Sequence, residues 1–312
     1  MLQMKRSFFV LLLCAAFALA GAREPVAVPG TGPTQRDSIP TVPVVPLTPR
    51  AYGNLLVANV RDAFTKPFHM TRRDWGNAAR FGLVAGALAF ADLPIQRAAV
   101  RWRNNSGTLR RISAQATEFG GDYEGMLIGG IGLYGYLFRK PKMQTAMLLA
   151  TQSYMTGSAL FAVLKRLTGR QRPYIVDPNT QEVSPRFFGP FYKTPRSPGG
   201  GSTNSAFPSG HTTVSFAAAT VFAEMYRDRK WVPVLSYTVA GLVGLSRITE
   251  NKHWTTDVLA GAALGYLTGR LTVRNYKRYA ASRSAVARSS QTSFHMSYVN
   301  GTLLPGVVHH FR

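Results

Sequence analysis

Cysteine is almost missing from this 312-residue chain; the single one, Cys14, lies in an apolar run near the N-terminus. Beyond that run there is no thiol, which excludes disulfides and thiol chemistry there. Lipid attachment at Cys14 is disfavoured by Leu13, where a small residue is expected. Acidic residues are scarce too, with 14 Asp and Glu against 37 Lys and Arg and a net charge of +23. Such an excess suits anionic partners: phospholipid, lipopolysaccharide, phosphorylated metabolites or nucleic acid. Charge alone does not rank them. The alternation and β-branched density of strands are also lacking from the long apolar segments, and no internal repeat stands out.

What is present begins with a basic stretch, MLQMKR, followed by the apolar SFFVLLLCAAFALA, with Ala18-Leu19-Ala20 as a small-residue cleavage pattern. Residues 1–20 therefore read as a secretory signal peptide. The Pro-rich stretch that follows reads as an extended linker over 21–66. A helical domain is expected over 67–280, from apolar segments at 81–91, 125–138, 143–164, 211–226, 231–247 and 254–273. The fold class is all-α, a helical bundle of about six core helices. Residues 174–207, with five prolines and Gly199-Gly200-Gly201, form a long irregular loop between helices. The basic tail 281–312 alternates around Asn300-Gly301, a signal for a C-terminal β-hairpin.

Three stretches carry chemistry. In KRLTGRQRP, Lys165 and Arg172 stand seven apart before Pro173, a spacing that predicts one helical face with the helix ending at the proline. The tetrapeptide Pro208-Ser209-Gly210-His211 opens directly into an apolar helix, and a helix start offers bare N–H groups to an anion. In SRITENKHWTTD, Asp257 follows His253 by four, so that the carboxylate can orient the imidazole on one helical face. Each has a plain structural reading in isolation: a solvated helix end, an ordinary helix start, a hydrogen-bonded pair. Together they supply two histidines, a carboxylate, three cations (Arg247 being the third) and a Gly-bearing helix start.

The three stretches resemble, in order and spacing, the signature motifs K-x6-RP, PSGH and SR-x5-H-x3-D of the type 2 phosphatidic acid phosphatase and vanadium haloperoxidase superfamily. The likeness spans 165–257. It implies that His253 attacks phosphorus to form a phosphohistidine, that Asp257 orients it, and that His211 protonates the leaving alkoxide and then activates water. Lys165, Arg172, Arg247, Ser209 and the Gly210 N–H would bind the phosphate oxygens. No metal or other cofactor is implied, although vanadate would fit the same cradle. The expected activity is metal-independent hydrolysis of phosphomonoesters or pyrophosphates, chiefly of lipids. A broad-specificity soluble acid phosphatase, a vanadium haloperoxidase and a non-catalytic anion-binding envelope protein are the alternatives. A nucleic-acid partner is disfavoured by dispersed basic residues and the export signal, and oligomeric state stays open.

The export signal places the site outside the cytoplasm, in the periplasm or on the periplasmic face of the inner membrane, against an anionic membrane surface. The number of crossings bears on this. If all six apolar segments crossed, residue 165 would emerge on the cytoplasmic side. Segment 81–91, at eleven residues, is too short to cross and so restores the parity. A mean hydropathy of −0.04 and polar residues such as Gln152, Glu224 and Ser236 slightly favour a domain that is soluble or lies on the membrane over the alternative, an embedded bundle. In the 174–207 loop, Phe187, Phe188, Phe191 and Tyr192 are expected either to form a lid or acyl-chain rest or to pack down on one another.

Overall fold

The computed structural model describes residues 44–176, 183–191, 204–289, 292–299 and 302–309. Its helices are α1 (Pro49–Thr65), α2 (Arg72–Asn105), α3 (Gly107–Glu118), α4 (Glu124–Leu137), α5 (Pro141–Thr168), α6 (Gly210–Met225), α7 (Trp231–Thr249) and α8 (Thr255–Ser289). Strands β1 (Thr292–Val299) and β2 (Thr302–His309) pair antiparallel. The expected signal peptide, the linker up to residue 43 and the turn Asn300-Gly301 lie outside the described residues.

Helix α6 is the hub. Its sequence, GHTTVSFAAATVFAEM, is small or apolar on every side, so it is buried all round. It packs on α8, α5 and α7. Its contact with α8 is close because α8 carries Gly261, Gly265 and Gly269 one helical turn apart. A Cβ at Gly261 would lie 2.6 Å from the Ser209 carbonyl oxygen, and one at Gly269 2.6 Å from Thr220 Cβ. At Gly265 it would strike the Thr213 carbonyl oxygen and lie 2.8 Å from the Ala217 nitrogen. These glycines let the two backbones touch, which no larger residue permits.

Two expectations change. Composition assigned 21–66 to a linker, yet Pro49–Thr65 is a helix capped by the Thr48 hydroxyl. It is held by a buried amide chain: Asn59 donates to Gln152 Oε1 at 2.8 Å, and Asn275 donates to Asn59 Oδ1 at 2.9 Å. Prolines dominated the composition, while the amides that anchor the helix gave no periodic signal. Segment 81–91 is the middle of the 34-residue α2, started by a capping box between Thr71 and Asp74. The objection that it is too short to cross a membrane therefore falls.

Helix α2, α5 and α7 are each long and apolar enough to span a bilayer. On α2 the side chains Phe81, Leu83, Val84 and Phe90 are exposed, the last at 90%. A face of this kind needs lipid or protein against it, and the chain is membrane-associated. The leaning towards a freely soluble domain gives way at this point, while lying on the membrane and being embedded in it both accord with these helices: averaging hydropathy over basic turns hid three long apolar helices.

Substituting Gly265→Ala is expected to destabilise the protein by about 2 kcal/mol or more, because backbone atoms rather than flexible side chains must move. Thermal unfolding in detergent checks this, with the open-space Gly53→Ala variant as a control.

Candidate active site

Four helix ends meet at one end of the bundle. Helix α5 arrives there carrying Lys165 in its last turn and stops at Thr168, because Gly169 turns left-handed at φ 55° and its N–H closes on the Lys165 carbonyl. Arg172 is thus not on the α5 helix, and the expected shared face with Lys165 does not exist. Instead 170–172 runs extended, with Arg170 bridged to Phe187, and Arg172 donates to Ser205 Oγ at 3.0 Å. Sequence spacing could not see a glycine stop four residues before the proline.

Helix α6 starts at Gly210, as the Pro-Ser-Gly-His pattern implied. Ser209 is fully buried; its hydroxyl accepts from Thr212 Oγ1 at 2.8 Å, leaving its own hydrogen to give. Gly210 faces α5 so closely that a Cβ would lie 3.2 Å from Phe161 and 3.5 Å from Lys165 Nζ. His211 follows, with Gly121 against it in the π-helical turn Phe119–Tyr123; a Cβ at Gly121 would lie 3.1 Å from Nε2.

Helix α7 brings Arg247 in its last turn, 5% exposed, with a buried Nε that has no hydrogen-bond partner among the described residues. The turn after it folds back, so that the His253 N–H bonds the Arg247 carbonyl at 3.1 Å. His253, 1% exposed, precedes α8 rather than sitting on it. Its Nδ1 lies 2.7 Å from the Ala206 carbonyl oxygen and 3.6 Å from Asp257 Oδ2. The expected direct orientation by Asp257 is therefore shared: the backbone carbonyl holds the Nδ1 proton, and the carboxylate faces it as a charge. That bond engages Nδ1 and not Nε2. Asp257 Oδ2 also accepts the Trp254 N–H at 2.8 Å.

Sequence reasoning missed Arg170, Asp92 and Thr256, all buried at the back of this cluster. Arg170 donates to Asp257 Oδ1 at 2.5 Å and to Asp92 Oδ2 at 2.6 Å. A lone carboxylate at the end of an apolar run was the available signal for Asp92.

Lys165, Arg172 and Arg247 crowd the two histidines. His211 is pushed down to about 3 by burial, then by Arg247, His253, Lys165 and Arg172. His253 is held well below its usual value by burial and by Lys165, Arg172 and Arg247. Burial pushes Asp257 up to about 6 against the pull of Arg170. Among the described residues, none of the three motif cations forms an ion pair. A half-buried excess of positive charge beside bare helix N–H groups is a receptor for a tetrahedral oxyanion. In the described residues no group of three or more His, Cys, Asp or Glu is placed to hold a metal ion.

Residues 146–280 match the model of the PAP2 superfamily. This stretch of the chain is a PAP2 superfamily domain. The match holds all three motifs, whereas α1, α2 and Asp92 lie before it. Lipid A 1-phosphatase of Porphyromonas gingivalis is 52% identical over 72 residues, covering 23% of this chain but 16% of that protein. Undecaprenyl-diphosphatase of Sulfolobus acidocaldarius is 25% identical over 171 residues, 55% of this chain and 72% of that one. The crystal structure of a transmembrane PAP2-type phosphatidylglycerolphosphate phosphatase from Bacillus subtilis aligns at 23% identity over 64% of this chain and 94% of that one, with a TM-score of 0.44.

In the 174–207 loop, Phe187 lies 4.7 Å from the Arg170 guanidinium and meets Phe207 edge-on at 5.8 Å, while Phe191 is 95% exposed. Tyr192 lies outside the described residues. Replacing Arg247 by Gln is expected to weaken binding of orthovanadate by about tenfold to a hundredfold, the worth of one charged hydrogen bond. Arg166→Gln, on the exposed side of α5, should leave it unchanged; competition titration checks both.

Proposed function

We propose that this PAP2 domain is a metal-independent phosphatase that hydrolyses phosphomonoesters or pyrophosphates of membrane lipids through a phosphohistidine. The observation that carries this reading is the cluster of Lys165, Arg172 and Arg247, without ion-pair partners among the described residues, around two histidines held neutral. A nucleophilic imidazole must be uncharged, and burial beside three cations keeps His253 so at neutral pH. Its Nε2 would bond phosphorus in line with the leaving oxygen, while the cations, Ser209 Oγ and the Gly210 N–H carry the charge of the non-bridging oxygens. The alkoxide leaves with the electron pair of the broken P–O bond and takes a proton from His211. Neutral His211 then removes a proton from the water that splits the N–P bond, which returns the electron pair to His253.

His211 at about 3 is a base, not an acid, before substrate arrives. The proton it delivers must therefore enter with the substrate phosphate, whose second pKa is about 6. Charge on the phosphate also opposes the cations that depress His211. Activity should accordingly fall as pH rises above the substrate's second pKa, and that limb should move with the substrate when esters of different acidity are compared. Exposed apolar faces on three helices favour a lipid phosphate over a soluble ester, in keeping with relatives named for lipid A and undecaprenyl diphosphate.

Phosphate release from phosphatidate, in EDTA, by the full chain in detergent is the deciding assay. Retained hydrolysis that disappears in His253→Ala is the expected result. A ratio of rates favouring p-nitrophenyl phosphate over the lipid would move the reading to a broad acid phosphatase. Vanadate-dependent halide oxidation in place of hydrolysis would move it to the haloperoxidases.

The short turns opposite the site carry Arg139, Lys140, Lys142, Arg227, Arg229 and Lys230, which favours that end inside and the site on the outer face. Helix α2 reaches the site end at Asp92, so Arg72 lies about 30 Å along its axis, at the other end. Crossing by α2 then puts residue 68 opposite the site, and a cleaved export signal would turn the whole arrangement over. In a Cys14→Ser background, single cysteines at Phe68 and Lys252 should label from opposite faces with an impermeant maleimide. Outer-face labelling at Lys252 is expected; outer-face labelling at Phe68 would place the site inside.

A further inference from the structure

Asp92 and Arg170 belong to none of the three motifs, and Asp92 precedes the family match altogether. They are 0% and 2% exposed. Asp92 enters from α2 and bonds the start of α8: Oδ1 accepts the Thr256 N–H at 2.9 Å, and Oδ2 accepts Arg170 Nη2 at 2.6 Å together with the Thr256 hydroxyl. Arg170 is thereby turned so that Nη1 reaches Thr256 Oγ1 at 2.6 Å and Asp257 Oδ1 at 2.5 Å. Its guanidinium is walled by the Phe187 ring at 4.7 Å and the Trp254 ring at 5.7 Å. The two oxygens of Asp257 are divided as a result. Oδ1 belongs to Arg170, and Oδ2 takes the Trp254 N–H and faces His253 Nδ1.

We propose that Asp92 and Arg170 are positioning residues for phosphoryl transfer, which together keep Asp257 ionised and aimed at His253 as that ring becomes a cation. The proposal rests on the phosphatase reading above. When the lone pair of Nε2 forms the N–P bond, the imidazole gains a positive charge while Nδ1 keeps its proton on the Ala206 carbonyl. Asp257 is the carboxylate within reach of that charge. Buried without a partner it would take up a proton and be lost to the step. Paired with Arg170 alone it would stay ionised but be neutralised. Asp92 resolves this by holding the other half of the guanidinium, so that Asp92, Arg170 and Asp257 together present one net negative charge to His253. The remaining charged groups facing Asp257 are Lys165 from α5, Arg172 after it and His253 itself. All of these are cationic or become so, and none supplies the missing negative charge.

The two residues act in opposite senses on one titration, and this makes the idea testable. The full chain in detergent is assayed on phosphatidate across pH, with kcat separated from KM. Arg170→Gln should raise the acid limb of kcat by about one unit, because Asp257 loses its counter-charge. Asp92→Asn should lower that limb, because Arg170 then serves Asp257 alone. Each should also lose about tenfold in kcat, the equivalent of one unit of interaction, with KM kept. Arg170→Lys should recover part of the limb, and it carries the test with Asp92→Asn if Arg170→Gln does not fold. Acid limbs that stay at the wild-type pH, or that shift in the same direction, overturn the proposal. Infrared titration of the Asp257 carboxyl band, assigned by its loss in Asp257→Asn, reads the same protonation without turnover. Wild-type protein that does not hydrolyse any phosphate would sink the phosphatase reading, and the infrared shift would still decide the network: opposite shifts support it and unchanged bands overturn it.

Discussion

Backbone contact between α6 and α8 is the constraint on which the site depends. Gly261, Gly265 and Gly269 remove every side chain from one stripe of α8, and α6 lies in it. Because the stripe begins one turn after Asp257, the start of α8 is pressed against the start of α6. A single backbone bond records the result: the Ser209 N–H donates to the Asp257 carbonyl at 3.0 Å. Residues 209–211 and 253–257, far apart in sequence, are thus locked together by close packing rather than by their own side chains. A close-packed interior transmits small displacements, so chemistry at the N-termini is tied to glycines up to three turns away.

Helix direction then sorts the charges. Helices α5 and α7 reach the site with their C-termini, and they carry Lys165 and Arg247 in their last turns. Helices α6 and α8 leave it with their N-termini, and Asp257 sits in the first turn of α8. Cations at C-terminal ends and a carboxylate at an N-terminal end both follow the helix dipole. The α6 N-terminus carries no carboxylate, and that is where an anion is favoured. Alternating topology therefore builds an anion receptor in which Lys165, Arg247 and Asp257 are each partly compensated by the helix that bears them.

The sequence made the bundle, its later helices and the identity of the motif residues legible, since these rest on local periodicity and on a spacing pattern. It misled wherever a single residue overrode periodicity. Gly169 stops α5 early and takes Arg172 off the helix. Thr255 starts α8 after His253 and takes the histidine off it. Helix α1 was hidden behind prolines, and α2 was read as eleven residues because Arg80, Asp92 and Pro94 interrupt its apolar run. Asp92 and Arg170 were invisible for another reason. Their meaning is a contact across 78 residues of sequence, and no window along the chain contains it.

That long-range contact also explains why α2 is tethered where it is. Its first half is exposed nearly all round, and the anchored part begins at Asp92 and continues through Gln96, which bonds Asn251, to Arg103, which pairs with Glu250 at 2.9 Å. A helix that lies loose over its apolar half and fixed over its polar half is arranged for two surroundings. Its free half suits lipid, where packing against protein is not required for burial, and its fixed half suits the level where charged groups meet water. The boundary between the two falls at the depth of Arg170 and Asp257. A phosphate held at that depth would have its lipid tail on the apolar side and its attacking water on the other. The same residue that holds Arg170 against Asp257 would then also set the height of the site relative to the membrane.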